Sequence, residues 1–255
     1  KVKIMNKINN IFLKKKILIY GLGKSGKSTY NFLRQKAKVN LFDDNPKNNF
    51  RFNKKNLSFA KILQSFFDFI IISPGIDVSK CKLSKYLKQN LFKVYTDLDV
   101  FCTFFSNESV TITGTNGKST TAKLLYDVLR DQKKDARHVG NIGNHILSEK
   151  KIIKKTFFVF EASSYQLESS KIFKSKYSVL LNITPDHIER HKNFKNYIEA
   201  KFRLLDSQAI QSVAFVKRND PVIIKKLRSK KYKQKVIKID TSLQPLIFKK
   251  IINKY

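Results

Sequence analysis

The chain has 255 residues, 42% of them hydrophobic, which is enough for one large domain or two ordinary ones with buried cores. This composition excludes a disordered tail. Lysine and arginine number 52 against 19 aspartate and glutamate residues, so the net charge is +33. Because the lysines are scattered over both halves instead of clustering with arginine and aromatic side chains, the charge predicts no specific nucleic-acid site. Such a field would still attract anionic ligands.

Cysteine usage and hydropathy favour a cytoplasmic protein. The two cysteines, Cys81 and Cys102, form neither a CxxC pair nor a metal cluster, as is usual in a reducing compartment. The longest apolar runs fall well short of the roughly 18 residues that a membrane span needs. Residues 1–15 are basic and asparagine-rich and lack the apolar core of a secretory signal. We expect no membrane insertion, and we expect a monomer.

In the first half of the chain, predicted strands alternate with helical or loop segments. Apolar, β-branched runs predict strands over 16–20, 38–42 and 68–72, and the stretch 28–36 predicts a helix. The first strand stops at a glycine turn. This alternation is typical of a parallel sheet whose ligand lies beyond the carboxyl ends of the strands.

The second half repeats the strand, glycine turn and helix order. Its predicted strands are 109–113, 157–160, 178–182 and 213–216. Its predicted helices are 118–130 and 194–205. We divide the chain near residue 106 into domains 1–106 and 107–255. The stretch 236–255 contains strand-like pieces with no evident sheet to join, and the chain begins with Lys1, so we expect a fragment of a longer protein.

Two glycine turns compete as the phosphate-binding loop. The first, GLGKSGKS from Gly21 to Ser28, satisfies both the GxGxxG pattern and the full GxxxxGK[ST] pattern. The second, GTNGKST from Gly114 to Thr120, fits only the GKS half, because Ile112 occupies the place of the first glycine. A pattern search alone would therefore choose the first turn.

The residues that follow each turn favour the second one for a triphosphate. Such a cradle needs helix N–H groups, a lysine, a hydroxyl and a carboxylate from a neighbouring strand for Mg²⁺. Glu161, after the strand 157–160, can supply that carboxylate, and His187 is a possible second ligand. Asp43 and Asp44 follow the first turn at a distance that suits ribose hydroxyls.

Several motifs carry a resemblance to the Mur ligases. These motifs occur in that family's order and approximate spacing. They are GTNGKST at 114–120, GNIGN at 140–144, EASSYQLE at 161–168, NITPDHIERH at 182–191 and EAKFRLL at 199–205. The segments GLGKSG at 21–26, SPGI at 73–76 and TDLDVF at 96–101 fit the family's first domain. The combination most resembles the members that add D-glutamate to UDP-N-acetylmuramoyl-L-alanine.

The resemblance implies an N-terminal Rossmann-like domain, a central P-loop-type ATPase domain and the absence of the family's C-terminal domain. It implies a cytoplasmic ATP-dependent amide ligase of peptidoglycan precursor synthesis. In that family ATP converts the substrate carboxylate into an acyl phosphate, which the amine of D-glutamate attacks. Because the C-terminal domain binds the amino acid there, we expect that these 255 residues alone do not ligate D-glutamate.

The resemblance also implies roles for individual residues. Lys118, His187 and Lys201 would be catalytic. Ser119, Glu161, His187 and a carbamylated Lys201 would hold two Mg²⁺ ions. ATP would be bound by the turn and the start of its helix, namely Gly114, Thr115, Asn116, Gly117, Lys118, Ser119, Thr120 and Thr121.

For the sugar nucleotide, the resemblance implies contacts with two groups of residues. Lys24, Ser25, Asp43 or Asp44, and Ser73 would bind the uridine and the diphosphate. Asn141, Ser163 and Ser164 would face the muramoyl end, although Asn141 and Ser164 could equally close turns.

Other interpretations of the sequence remain open. One is a different ligase of the same superfamily, which adds another amino acid or acts on folate. Another is a nicotinamide-dependent oxidoreductase that uses the turn from Gly21 to Gly26. A third is a nonenzymatic anion-binding protein. His187 and His191 are spaced as zinc ligands on a helix, but no third ligand follows at metal spacing, so we do not predict zinc.

Overall fold

The computed structural model describes residues 10–49, 55–140 and 144–240. In these ranges the chain forms two separate β-sheets in which every strand pairing is parallel. The first sheet has the strand order β2-β1-β3-β4. Its strands are β1 (Lys16–Tyr20), β2 (Lys38–Phe42), β3 (Phe69–Ile72) and β4 (Val94–Tyr95).

Helices cover both faces of the first sheet, as the apolar residues on both sides of its strands require. Ile17 and Ile19 face one hydrophobic cluster, and Leu18 and Tyr20 face another. The helices of this half are α1 (Lys24–Leu33), α2 (Pro46–Asn49), α3 (Phe59–Leu63), α4 (Ser84–Gln89) and α5 (Asp97–Phe104).

The second sheet has the order β10-β9-β8-β5-β7-β6, with β5 near its centre. Its strands are β5 (Ser109–Thr113), β6 (Ala136–Gly140), β7 (Phe157–Glu161), β8 (Tyr177–Leu180), β9 (Val213–Lys217) and β10 (Lys235–Ile239). Its helices are α6 (Lys118–Asp131), α7 (Ser164–Ser169), α8 (Ile188–His191), α9 (Phe194–Asp206) and α10 (Pro221–Arg228). None of the described helices is both long and apolar enough to cross a membrane.

The sequence predicted the α/β class and the two parallel sheets, and the structure confirms this fold class. The helix predicted at 28–36 is displaced, since α1 covers Lys24–Leu33. Gly26 lies in the first turn of α1, where a Cβ atom would collide with the Gly21 carbonyl oxygen. Gly26 therefore lets the helix pack closely on the turn.

The expectation that 236–255 contains strand pieces with no sheet to join is wrong for its first part. β10 pairs in parallel with β9 from Lys235↔Val213 to Ile239↔Lys217. β10 is an edge strand of the second sheet, and an edge strand pairs with a neighbour on one side only. The sequence pattern of a strand does not show which strand it pairs with. Residues 241–255 lie outside the described residues.

Helix α5 joins the two sheets through a buried carboxylate. Asp99 is 0% exposed, and its Oδ1 accepts hydrogen bonds from the backbone N–H groups of Lys171, Ile172 and Phe173 at 2.9, 2.7 and 3.0 Å. The Ser170 hydroxyl donates to the same oxygen at 2.7 Å. One carboxylate thus fastens the loop that follows α7 to a helix that begins directly after the first sheet.

Replacing this carboxylate should destabilise the whole fold. In Asp99→Asn one oxygen becomes an amide NH2 that cannot accept, so buried N–H groups lose a charged acceptor. We expect the free energy of unfolding to fall by about 3 kcal/mol. Urea denaturation followed by circular dichroism measures this. The control is Asp127→Asn, which breaks only an exposed pair with Lys123 and should cost about 0.5 kcal/mol or less. Equal losses in both variants would contradict the role of Asp99.

Candidate active site

The downstream glycine turn connects β5 directly to the first residue of α6. Gly117 precedes the helix with a φ of 82°, a conformation that glycine adopts without a steric penalty. The Asn182 side chain holds the turn, because its Oδ1 accepts from Asn116 N at 2.8 Å and its Nδ2 donates to Asn116 O at 3.0 Å. The first N–H groups of a helix have no intrahelical acceptor and favour an anion. The turn is therefore shaped before any ligand arrives.

Two lysine amines converge on one carbonyl oxygen of this turn. Lys118 Nζ donates to Gly114 O at 3.0 Å and to Thr115 O at 2.8 Å. Lys201 Nζ, which reaches in from α9, donates to the same Gly114 oxygen at 2.7 Å. This brings together two residues that are 83 positions apart in the sequence. The positive charge of Lys118 at the turn suits a phosphate ligand.

Lys201 has an unusual environment for a lysine. The residue is 1% exposed, and its ammonium group lies 4.6 Å from the centroid of the Tyr197 ring. Burial, assisted by the neighbouring Lys118, lowers the pKa of Lys201 to about 7, while Asp186 acts in the opposite direction. A large share of this amine is therefore neutral near pH 7, as a nucleophilic amine must be.

Glu161 ends β7 beside the strand that leads into the glycine turn. It is 1% exposed and lies in register with Ile112 on one side and Gly140 on the other. Gly140 has a φ of 128°, and a Cβ atom there would collide with the Glu161 backbone. The close approach of β6 thus needs a glycine, and Glu161 is buried at the carboxyl end of β7.

His187 lies at the start of the short helix α8, with its ring directed toward aromatic neighbours. Its φ of 53° is in the left-handed region, and its ring centroid is 5.0 Å from that of Tyr165 and 6.4 Å from that of Tyr197. Its Nε2 is 3.4 Å from Asp186 Oδ2. Because the side chain is 45% exposed, an imidazole nitrogen is accessible to a ligand.

The described side chains around the turn that could ligate a metal ion do not form a cluster. Among the described residues, no group of three or more His, Cys, Asp or Glu side chains is placed to hold a metal ion. Mg²⁺ in nucleotide sites takes one or two protein oxygens and completes its shell with water and phosphate oxygens. The buried Glu161 carboxylate at this edge of the sheet and the Ser119 hydroxyl in the first turn of α6 fit that requirement.

The upstream turn between β1 and α1 is held by two of the side chains predicted to bind sugar nucleotide. The Ser73 hydroxyl donates to Gly21 O at 2.7 Å. The Asp43 carboxylate accepts from Leu22 N at 2.5 Å and from Asn45 N at 2.8 Å. These two side chains shape the turn itself in this structure.

The remaining predicted contacts lie around the same turn. The Ser25 hydroxyl donates to Asp97 at 2.6 Å, the Tyr20 hydroxyl donates to Asp44 at 2.6 Å, and Lys24 is exposed at the first position of α1. Burial is the largest factor that raises the pKa of Asp97, which lies at the start of α5.

Of the three residues predicted to face the muramoyl end, the structure describes Ser163 and Ser164. Ser163 caps α7 in a capping box with Gln166. Ser164 is 2% exposed, and its hydroxyl is 3.0 Å from Nε2 of the buried His191. Burial is the main cause that lowers the pKa of His191. Asn141 lies outside the described residues.

Sequence reasoning missed residues that reach the site only through the fold. Tyr197 is 0% exposed and links Lys201 to the turn, since its hydroxyl is 3.1 Å from Thr115 Oγ1. Its spacing of four residues from Lys201 on one helix could have signalled this. Nothing local in the sequence distinguishes Arg190, because its partners Ile76 and Asp77 come from a distant segment.

The fold and the site define a two-sheet α/β protein in which a lysine-bearing glycine turn opens a helix, the geometry of P-loop nucleotide-binding proteins. The family profile described as Mur ligase middle domain matches residues 112–254. The chain therefore belongs to the Mur ligase family. Members of this family are ATP-dependent amide ligases of peptidoglycan precursors.

Similar proteins bear names from one branch of this family. The UDP-N-acetylmuramoylalanine–D-glutamate ligase of Rickettsia bellii (strain RML369-C) is 37% identical over 204 residues, which is 77% of this chain and 44% of the relative. The ligase of the same name from Caldicellulosiruptor bescii is 35% identical over 206 residues, or 76% of this chain and 45% of that protein. The chain thus spans less than half the length of these curated relatives.

A solved structure shares the fold at low sequence identity. The UDP-N-acetylmuramate:L-alanyl-gamma-D-glutamyl-meso-diaminopimelate ligase from Neisseria meningitides has a TM-score of 0.57 and 13% identity, and the match covers 88% of this chain and 77% of that one. The likeness supports the fold alone.

Proposed function

We propose that this chain binds ATP at the downstream turn and UDP-N-acetylmuramoyl-L-alanine at the upstream turn, as part of a ligase that adds D-glutamate. The observation that carries the proposal is the convergence of Lys118 and the buried Lys201 on Gly114 O. A phosphate at the start of α6 would replace that carbonyl as the partner of Lys118. The relatives' names support D-glutamate as the added amino acid. We further propose that the two domains divide near residue 106.

The proposed reaction has two steps. The substrate carboxylate oxygen bonds to the γ-phosphorus of ATP and ADP leaves, which forms an acyl phosphate. The amine of D-glutamate then bonds to the acyl carbon, inorganic phosphate leaves, and the nitrogen loses a proton. Both steps bring negative groups together, so positioning and positive charge must supply most of the catalysis.

Residues of this chain supply that charge and positioning. Lys118 would neutralise the β- and γ-phosphates, while the turn from Gly114 to Thr121 orients them. Glu161, Ser119, His187 and a carbamylated Lys201 would hold Mg²⁺. When bound, Mg²⁺ screens the charge of the phosphate oxygens. In this proposal the carboxyl edge of the first sheet binds the sugar nucleotide, and that of the second sheet binds ATP.

The direct test is calorimetric titration of the purified chain with two ligands separately. We expect binding of Mg²⁺–ADP and of UDP-N-acetylmuramoyl-L-alanine, each with a stoichiometry near one and neither displacing the other. Dihydropteroate and NADH serve as comparison ligands for the folate-ligase and oxidoreductase alternatives. Mutual competition between ADP and the sugar nucleotide, or preferred binding of a comparison ligand, would refute the proposal.

A further inference from the structure

The segment 187–192 has a strained backbone that something must hold. His187 and Lys192 flank α8 with φ values of 53° and 71°. Non-glycine residues keep such values only where surrounding contacts impose them. The four residues of α8 are also too few to form a stable helix alone. The position of the His187 ring therefore depends on what anchors this segment.

Arg190 anchors it to the first half of the chain. Its Nη2 donates to Ile76 O at 2.7 Å, and its Nη1 is 3.8 Å from Asp77 Oδ2. Its guanidinium lies 5.0 Å from the centroid of the Tyr165 ring, which also faces His187. The side chain is only 14% exposed. A planar guanidinium can donate sideways and stack at the same time, which a lysine cannot do.

The loop that receives Arg190 packs on the upstream glycine turn. A Cβ atom added at Gly21 would lie 2.9 Å from Ile76 Cγ1 and 2.9 Å from Ser73 Cβ. The Ser73 hydroxyl also holds Gly21 O. A continuous set of contacts therefore runs from the Gly21 turn through Ile76 and Arg190 to the segment that bears His187.

We propose that Arg190 is a positioning residue that makes the two nucleotide turns act together. By holding the segment 187–192 against the loop 73–77, it fixes His187 beside the downstream turn and transmits to His187 the change that sugar nucleotide makes at the upstream turn. This inference rests on the proposed function. It predicts that UDP-N-acetylmuramoyl-L-alanine increases the affinity for Mg²⁺–ADP, and the effect must be reciprocal.

The test measures the Kd of Mg²⁺–ADP with and without saturating sugar nucleotide. In the unmodified chain we expect the sugar nucleotide to tighten ADP binding by about fivefold or more. Arg190→Gln should bind each ligand alone within about threefold of the unmodified chain but lose the coupling. Arg190→Lys keeps the positive charge but not the planar guanidinium, so it should restore little of the coupling. Arg130→Gln, at an exposed arginine of α6, is the matched control and should keep full coupling.

Each outcome separates this inference from the proposed function. Thermal melting of every variant checks folding, and the ¹H–¹⁵N signals of the His187 ring report its position without ADP. An unchanged ring signal or intact coupling in Arg190→Gln overturns the role of Arg190, and so does an absence of coupling in the unmodified chain that binds both ligands. If the unmodified chain binds neither ligand, the proposed function fails and the inference fails with it.

Discussion

Lys118→Ala is expected to weaken Mg²⁺–ADP binding by about 10- to 100-fold and to leave sugar-nucleotide binding unchanged. Removing a charge-assisted hydrogen bond to phosphate costs about 1.5–3 kcal/mol, and each 1.4 kcal/mol is a factor of ten in affinity. Lys118 is the first residue of α6, and its amine folds over the turn onto Gly114 O and Thr115 O. It is therefore positioned to meet a phosphate at the helix start.

The matched control is Lys27→Ala, because Lys27 is the lysine of the upstream turn, which matches the full GxxxxGK[ST] pattern. Helix α1 begins at Lys24, three residues before Lys27, whereas α6 begins at Lys118 itself. Lys27 thus lies inside the helix and not at its opening, and we expect its removal to change ADP affinity by less than about twofold. Isothermal titration of both variants with ADP and with sugar nucleotide measures the effects. A large ADP loss in Lys27→Ala with none in Lys118→Ala would reverse the assignment of the two turns.

Lys201 is expected to form a carbamate with CO₂ at neutral pH. Only the neutral amine reacts, and an ordinary lysine with a pKa of about 10.4 is neutral in fewer than about one molecule in a thousand at pH 7. The pKa of Lys201 is lowered to about 7, so about half of its amine is neutral there. Carbamate should therefore increase as the pH rises through 7 and be lost below it.

The measurement is ¹³C NMR under ¹³CO₂ at a fixed partial pressure, from pH 6 to pH 8.5. We expect a side-chain carbamate signal, separate from that of the α-amine, that disappears in Lys201→Met and persists in Lys195→Met, a variant at an exposed lysine of the same helix. A signal that survives Lys201→Met, or one that appears only near pH 10, would show that a surface lysine is responsible.

The same lowered pKa predicts a change in stability with pH. The folded pKa of Lys201 lies below its unfolded value, so between pH 7 and about pH 10 the unfolded chain binds more protons. The free energy of unfolding should then rise with pH over this window, because the cost of burying an ammonium group is relieved. Lys201→Met should remove part of that rise, and urea denaturation at each pH measures the difference between the two chains.

Local sequence predicted most strands and the helices that follow the two glycine turns. Runs such as KILIY at Lys16–Tyr20 and SVTIT at Ser109–Thr113 are apolar or β-branched, and that preference acts within a few residues. Short segments such as β4 and α8, of two and four residues, were missed. Their signals are weak alone, and they persist because distant partners pack against them.

For the site, the sequence by itself determined which chemical groups are present and that two glycine turns each follow a strand. Tertiary structure determined the low pKa of Lys201, the approach of Lys118 and Lys201 to one carbonyl oxygen, and the hydrogen bond from Arg190 to Ile76. These properties depend on burial and on atoms brought together from positions such as 76 and 190, which lie 114 residues apart. Patterns along the chain carry no information about such distances, because only folding creates them.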